Sequence, residues 1–145
     1  NNLAVLTINI ADARYVNVTG DTMTGNLTVP TLVGNTVSLE SSDLTSDEST
    51  TNSTFAAEIF SFDKGTYNSA ELIITATDGS NRHITKLLLV HNGSTAVATE
   101  FATIYTNGSL ATYDVTIQSG NVQLNATPAS SNATTYQIAA TLIKV

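Results

Sequence analysis

The chain has 145 residues, enough for one domain of ordinary size, or one of about a hundred residues with a shorter appended segment, and no second large domain. Ser, Thr and Asn supply 53 positions and Val, Ile and Thr 46, against 17 Lys, Arg, Asp and Glu, a balance of β-branched and small polar side chains that favours β structure. A net charge of −7, from twelve acids and five bases, works against a nucleic-acid partner, and the lack of cysteine excludes disulfides, thiolate nucleophiles, zinc ribbons and iron–sulfur clusters.

The first forty residues open on apolar Leu3, Val5, Leu6, Ile8 and Ile10, and Asn1 stands where an initiator methionine would, so a longer precursor or parent protein is expected upstream. Ala11 to Asn17 suits a single helical turn, and strand-like pieces follow at Leu27 to Val29 and Thr31 to Leu39. Each piece is too short to bury a core alone, so residues 1–40 are expected to gain stability by packing against copies of themselves. Residues 41–54 are Ser, Thr, Asp and Asn with Leu44 as the one large apolar side chain, and read as a polar linker.

Beyond it the punctuation turns regular, with Gly65, Gly79, Gly93, Gly108 and Gly120 at steps of 14, 14, 15 and 12 residues. Asp78-Gly79, Asn92-Gly93 and Asn107-Gly108 are hairpin signals because both residue types tolerate the positive φ of a type I′ turn. Between the turns, Leu72-Ile73-Ile74 and Leu87 to Val90 are apolar in both phases, as in central strands covered on both sides by a second layer or by a neighbouring chain. The run Leu87 to Val90 is far short of the roughly 18 to 20 residues of a membrane span, so a soluble chain without membrane insertion is expected. Further on the alternation is strict. Tyr113, Val115 and Ile117 oppose Thr112, Asp114 and Thr116; Val122, Leu124 and Ala126 oppose Asn121, Gln123 and Asn125; Tyr136, Ile138, Ala140 and Leu142 oppose Gln137 and Thr141. About seven strands are expected from Phe55 to Lys144, in an antiparallel β-sandwich or jelly-roll-like domain over residues 55–145.

The stretch Tyr15-Val16 … Gly20-Asp21-Thr22-Met23-Thr24-Gly25 … Leu27 resembles a motif recurrent in tail fibres and related appendages of tailed bacteriophages, roughly Y-[VL]-x-x-x-G-D-T-M-T-G-x-L. Its six-residue core is complete here, within 17 of 145 residues. The resemblance implies a trimeric, β-rich appendage segment in which Tyr15, Val16, Gly20, Asp21, Thr22, Met23, Thr24, Gly25 and Leu27 form an oligomerisation motif, with Met23 packing between chains. Residues from about Phe55 onward are similar in general character to the Thr/Asn-rich β-domains of structural proteins of marine phages, those of cyanobacteria in particular. By residue physics alone, Gly20 and Gly25 bracket a step in which Asp21 suits an Asx-turn; a simple pair of loops at a sheet edge is the plain alternative.

Candidate chemistry is sparse. His83 and His91 share parity on one strand but stand eight residues apart, about 26 Å, too far for one metal ion within a chain; a satisfied surface or strand-end histidine is the simpler reading of each. Asp43, Asp47 and Glu48 read as solvated linker charges, and Asp63, Asp78 and Asp114 fall at strand ends, turns or a wet face, so no carboxylate pair for glycoside hydrolysis is singled out. Signatures of nucleophile elbows, zincins and nucleotide loops do not occur, and neither catalysis nor a cofactor nor a bound metal is expected. Tyr113 and Tyr136 keep phase with the core, whereas Tyr67 and Tyr105 adjoin turns and are the candidates for contact with a receptor glycan.

The sequence therefore reads as a virion structural protein, a homotrimeric subunit of a tail fibre or related appendage acting in assembly and host attachment, with other virion proteins as partners. A capsid decoration or head-fibre protein, a small polysaccharide-degrading enzyme, and a cellular surface adhesin or filament subunit are the alternatives.

Overall fold

Nine β-strands and no helix build residues 30–145, the part that the computed structural model describes. They are β1 (Thr36–Ser38), β2 (Ser42–Thr51), β3 (Ala57–Asp63), β4 (Tyr67–Asp78), β5 (Asn81–His91), β6 (Ala96–Tyr105), β7 (Ala111–Gln118), β8 (Asn121–Pro128) and β9 (Thr134–Lys144). Every neighbouring pair is antiparallel, in one sheet of order β1-β2-β9-β4-β5-β6 and a second of order β3-β8-β7. The domain is an all-β antiparallel sandwich, and β3 to β9 are the seven strands expected after Phe55.

Alternation decides which side of each strand is dry. Ala70, Leu72, Ile74 and Ala76 of β4, Leu87 and Leu89 of β5, and Tyr136, Ile138, Ala140 and Leu142 of β9 point inward and are buried. Phe60, Phe62, Val115, Val122, Leu124 and Ala126 of the smaller sheet join them in one core. Leu72 and Ile74 are fully buried, and a Leu or Ile side chain removed from water contributes roughly 1.5–3 kcal/mol.

The turn glycines sit where strands meet, but they do different work. Ser119 and Gly120 both have positive φ (53° and 92°), making the β7–β8 connection a type I′ hairpin. In the β4–β5 hairpin only Gly79 is positive (φ 58°), at the first of two loop positions, as in a type II′ turn. Asp78, Asn92 and Asn107, expected to share the positive φ with their glycines, do not. The links at Gly65 and Gly108 carry the chain from one sheet to the other.

One boundary differs from the sequence reading. The stretch 41–54, read as a polar linker, contains β2, a ten-residue strand paired along its whole length with β9 from Ser42↔Ile143 to Thr51↔Thr134. Backbone hydrogen bonding holds it there. The smaller sheet covers its inward positions only in part, so Thr45, Asp47, Ser49 and Thr51 satisfy a strand that few apolar side chains mark. Within residues 34–40, β1 pairs with β2 and belongs to the same compact unit, Gly34–Val145.

Candidate interaction surface

The six-stranded sheet has a second face, turned away from the core. Strand register places these residues in rows across it: Ile143, Ser69, Val90 and Val97; Leu44, Thr141, Glu71, Leu88 and Thr99; Ala139, Ile73, Lys86 and Phe101; Gln137, Thr75, Ile84 and Ile104. The side of β4 and β5 that the sequence marks as apolar in both phases is thus uncovered: Ile73, Ile84, Leu88 and Val90 are 38 to 50% exposed. On β6, Val97 and Ile104 reach 57% and 69%. Near the middle, Lys86 Nζ meets Glu71 Oε1 at 2.7 Å, an exposed pair worth little to stability by itself.

β6 forms the free edge beside these residues. From Val97 to Tyr105 every residue is exposed, on the side facing the core as well as the outer one. At Ala102, with φ 53°, two residues oppose the single Thr85, a β-bulge that turns Thr103 inward to share a 2.8 Å hydrogen bond with Thr85 Oγ1. The bulge also lets Glu100 and Tyr105, of opposite parity, both flank His83.

The smaller sheet presents the opposite chemistry. Glu58, Ser61 and Asp63 of β3, Asn121, Gln123, Asn125 and Thr127 of β8, and Thr112, Asp114, Thr116 and Gln118 of β7 make up its outer face without one large apolar side chain. Its charges are three acids, whereas the outer face of the large sheet balances Glu48 and Glu71 against Arg82 and Lys86.

The motif residues Tyr15, Val16, Gly20, Asp21, Thr22, Met23, Thr24, Gly25 and Leu27 lie outside the described residues. Tyr67 and Tyr105 are not brought together: Tyr67 lies beside His91, at one end of β5, and Tyr105 opposite His83, eight residues along the strand. Tyr67 is half-buried, edge-on to Phe62, and its hydroxyl donates to Asp43 Oδ2; Tyr105 is 52% exposed. His91 is the satisfied strand-end histidine expected, its Nε2–H donating to Tyr67 O (2.6 Å) and its Nδ1 accepting from Gly93 N–H (3.0 Å).

His83 is not a surface histidine but a buried one. Its Nδ1 accepts from Leu110 N–H at 3.3 Å, and its Nε2 lies 3.9 Å from Glu100 Oε1 without a hydrogen-bond partner. Burial outweighs the nearby carboxylate and lowers its pKa, so the ring is neutral at pH 7 and the Glu100 contact is no ion pair. Tyr113 packs beside it and Tyr136 edge-on to Tyr113, both hydroxyls buried without partners, and burial raises Tyr136 to about 12.

No family model matches the chain, and no curated protein matches it either. Solved structures similar to it are tailspike proteins of phages. That of Acinetobacter baumannii phage AM24 has a TM-score of 0.47 at 11% identity, over 70% of this chain and 26% of its own. For that of Acinetobacter phage vB_ApiP_P1 the values are 0.44, 13%, 87% and 26%. The tailspike protein gp49 of Acinetobacter baumannii bacteriophage Fri1, described as a capsular polysaccharide depolymerase, gives 0.40, 11%, 76% and 21%. The chain spans about a quarter of the length of the first two.

Among the described acids, Asp43 departs most from its sequence reading. It is buried, not a solvated linker charge, and holds Lys144 Nζ at 2.9 Å while accepting from Tyr67. The hydrogen bond from Tyr67 first, then those from Lys144 and Ser38, lower its pKa to about 2. Asp63 accepts from Gly65 N–H and Thr66 Oγ1, and Asp78 from Ser130 and Asn132. Among the described residues no three of His, Asp and Glu are grouped to hold a metal ion. The sequence reading counted Ala96–Tyr105 among its seven strands but did not mark the apolar residues that this run, AVATEFATIY, carries in both phases.

Proposed function

We propose that the chain is a non-catalytic structural subunit of a virion, a β-rich module of a phage tail fibre or related appendage that acts in assembly and host attachment. The observation that carries the assembly role is the uncovered apolar face of the six-stranded sheet, wider than the scattered apolar residues a solitary soluble domain leaves in water. The tail location rests on the resemblance of Gly20 to Gly25 and its flanks to the appendage motif, which also supports a homotrimer joined through residues 1–40. The loop ends of the sandwich, with half-exposed Tyr105 at one of them, suit contact with a host-surface glycan.

Tagged antibody against the chain, imaged on intact phage particles, is expected to label the tail; label confined to the head would make it a capsid decoration protein instead. The depolymerase reading, which the description of gp49 raises, calls for two carboxylates about 5 to 10 Å apart in a sugar groove. Asp43, Asp63, Asp78 and Glu71 are each engaged with neighbours that give them structural work. Incubation with host capsule is expected to release no new reducing ends, and release would replace the structural reading with an enzymatic one.

A further inference from the structure

We infer that a second copy of this chain seats on the outer face of the six-stranded sheet, with β5 and β6 at the heart of the contact. The inference rests on the assembly role proposed above and names the partner for that surface, apart from any contact made by residues 1–40.

The edge strand comes first. A long, apolar edge is ordinarily shielded by Lys, Pro or a covering loop, because its free N–H and C=O groups template pairing. β6 has neither Lys nor Pro, its one charge is Glu100, and Val97, Phe101 and Ile104 stand out on the same side as Ile84, Leu88 and Val90.

Area comes second. The five long strands β2, β9, β4, β5 and β6, at a spacing of about 4.8 Å and a length of ten residues at about 3.3 Å each, present a footprint of roughly 800 Å², the share each partner gives to a standard stable interface. Its apolar ground lies on the β5–β6 side and its Thr, Gln and Ser residues on the β2–β9 side, a division into dry and wet parts that matches interface anatomy.

Charge selects the occupant. Copies of a chain at −7 repel one another, and the three acids on the outside of the small sheet would add to that repulsion in any contact made there. The large sheet's outer face is neutral, and its Glu71–Lys86 pair offers both signs side by side, so that a copy facing it finds each sign opposite its complement.

The test uses the full chain, which lacks cysteine, carrying one thiol at a time: Thr99→Cys on the large sheet's outer face or Gln123→Cys on the small one's. Maleimide labelling is followed over a concentration series alongside mass in solution. Where nine-tenths of the chain is associated, the thiol at position 99 is expected to react about tenfold more slowly than in dilute solution, and the thiol at position 123 at one rate throughout. Leu88→Glu, and independently Val97→Lys, should restore fast labelling at position 99 in the concentrated sample. Equal reactivity of the two thiols at every concentration overturns the inference. So does protection at position 99 in a monomeric sample, which would mean that the chain covers this face with its own residues. Tail labelling of particles together with free reactivity at position 99 would sink this contact alone and leave the proposed role standing; protection without particle labelling would do the reverse.

Discussion

The two outward faces of the sandwich are built with the same antiparallel pairing, yet they meet water in opposite ways. Along β7 and β8 of the small sheet, the residues that alternate with the buried ones are polar: Thr116 beside Val115, Gln123 beside Val122. On the large sheet, Ile73 stands between Leu72 and Ile74, and Leu88 between Leu87 and Leu89, so both phases are apolar and one core cannot consume them. The first pattern is that of a sheet with one solvated side. The second belongs to a strand covered twice, and among the described residues only one cover is present.

The sharpest test of that difference compares neighbours on one strand. Leu72→Ala, at a fully buried site, is expected to cost about 2–5 kcal/mol in urea unfolding of the dilute chain, and Ile73→Ala, on the outer face, less than about 1 kcal/mol. Equal costs would mean that the outer face is already covered within a single chain. Next comes the turn that aligns the small sheet: Gly120→Ala places a Cβ at φ 92° and is expected to cost about 1–2 kcal/mol, read from the same urea curves.

Acid probes the two ends of the core. The carboxyl of Asp43 titrates lower in the folded chain (about 2) than unfolded (3.8), so its contribution is complete above about pH 4 and fades as pH falls through about 2. Asp43→Asn should flatten stability against pH in that window. His83, its folded pKa lowered below 6.5, behaves alike in sign but at higher pH: the unfolded chain takes up the proton first, so stability declines as pH falls below about 6.5. Thermal melts of His83→Gln from pH 7 down to 2 should lose that slope between pH 7 and 5 and keep the Asp43 one below about pH 4. The smallest effect is a matched pair: Thr116→Val and Thr75→Val, one on each outer face, should each change the stability of the dilute chain by no more than about 0.5 kcal/mol. Sedimentation should show Thr75→Val alone favouring association.

Much of this was legible in residue order because the same side chains set local conformation and burial. The alternation from Tyr113 to Leu142 gave the dry and wet sides of β7, β8 and β9 directly, and the spaced glycines located the connections. β2 was not legible, since it is held by ten residues of β9 that lie 83 to 101 positions away, and its own Ser, Thr and Asp side chains look like those of a loop. The roles of Asp43 and His83 were hidden for a related reason. Asp43 owes its burial to Tyr67 and Lys144, which strands far along the chain bring to it within the large sheet, and His83 lies beside Tyr105 of the same sheet and under Tyr113 of the other, groups that meet only in the assembled fold. Parity placed His83 and His91 on one side of one strand, but could not tell which end the second layer would close.

The place of β9 between β2 and β4 has a consequence for biosynthesis. Two of the longest ladders in the domain share a strand translated last among the nine, so β2 emerges from the ribosome about 5–20 seconds before its mate at ordinary elongation speeds. Through that interval the nascent chain can zip the β4–β5 and β7–β8 hairpins but leaves β2 with only the three-residue β1 beside it and one flank of β4 open. Maturation of this module is therefore a late, all-at-once event, in which the final strand slots into a waiting gap.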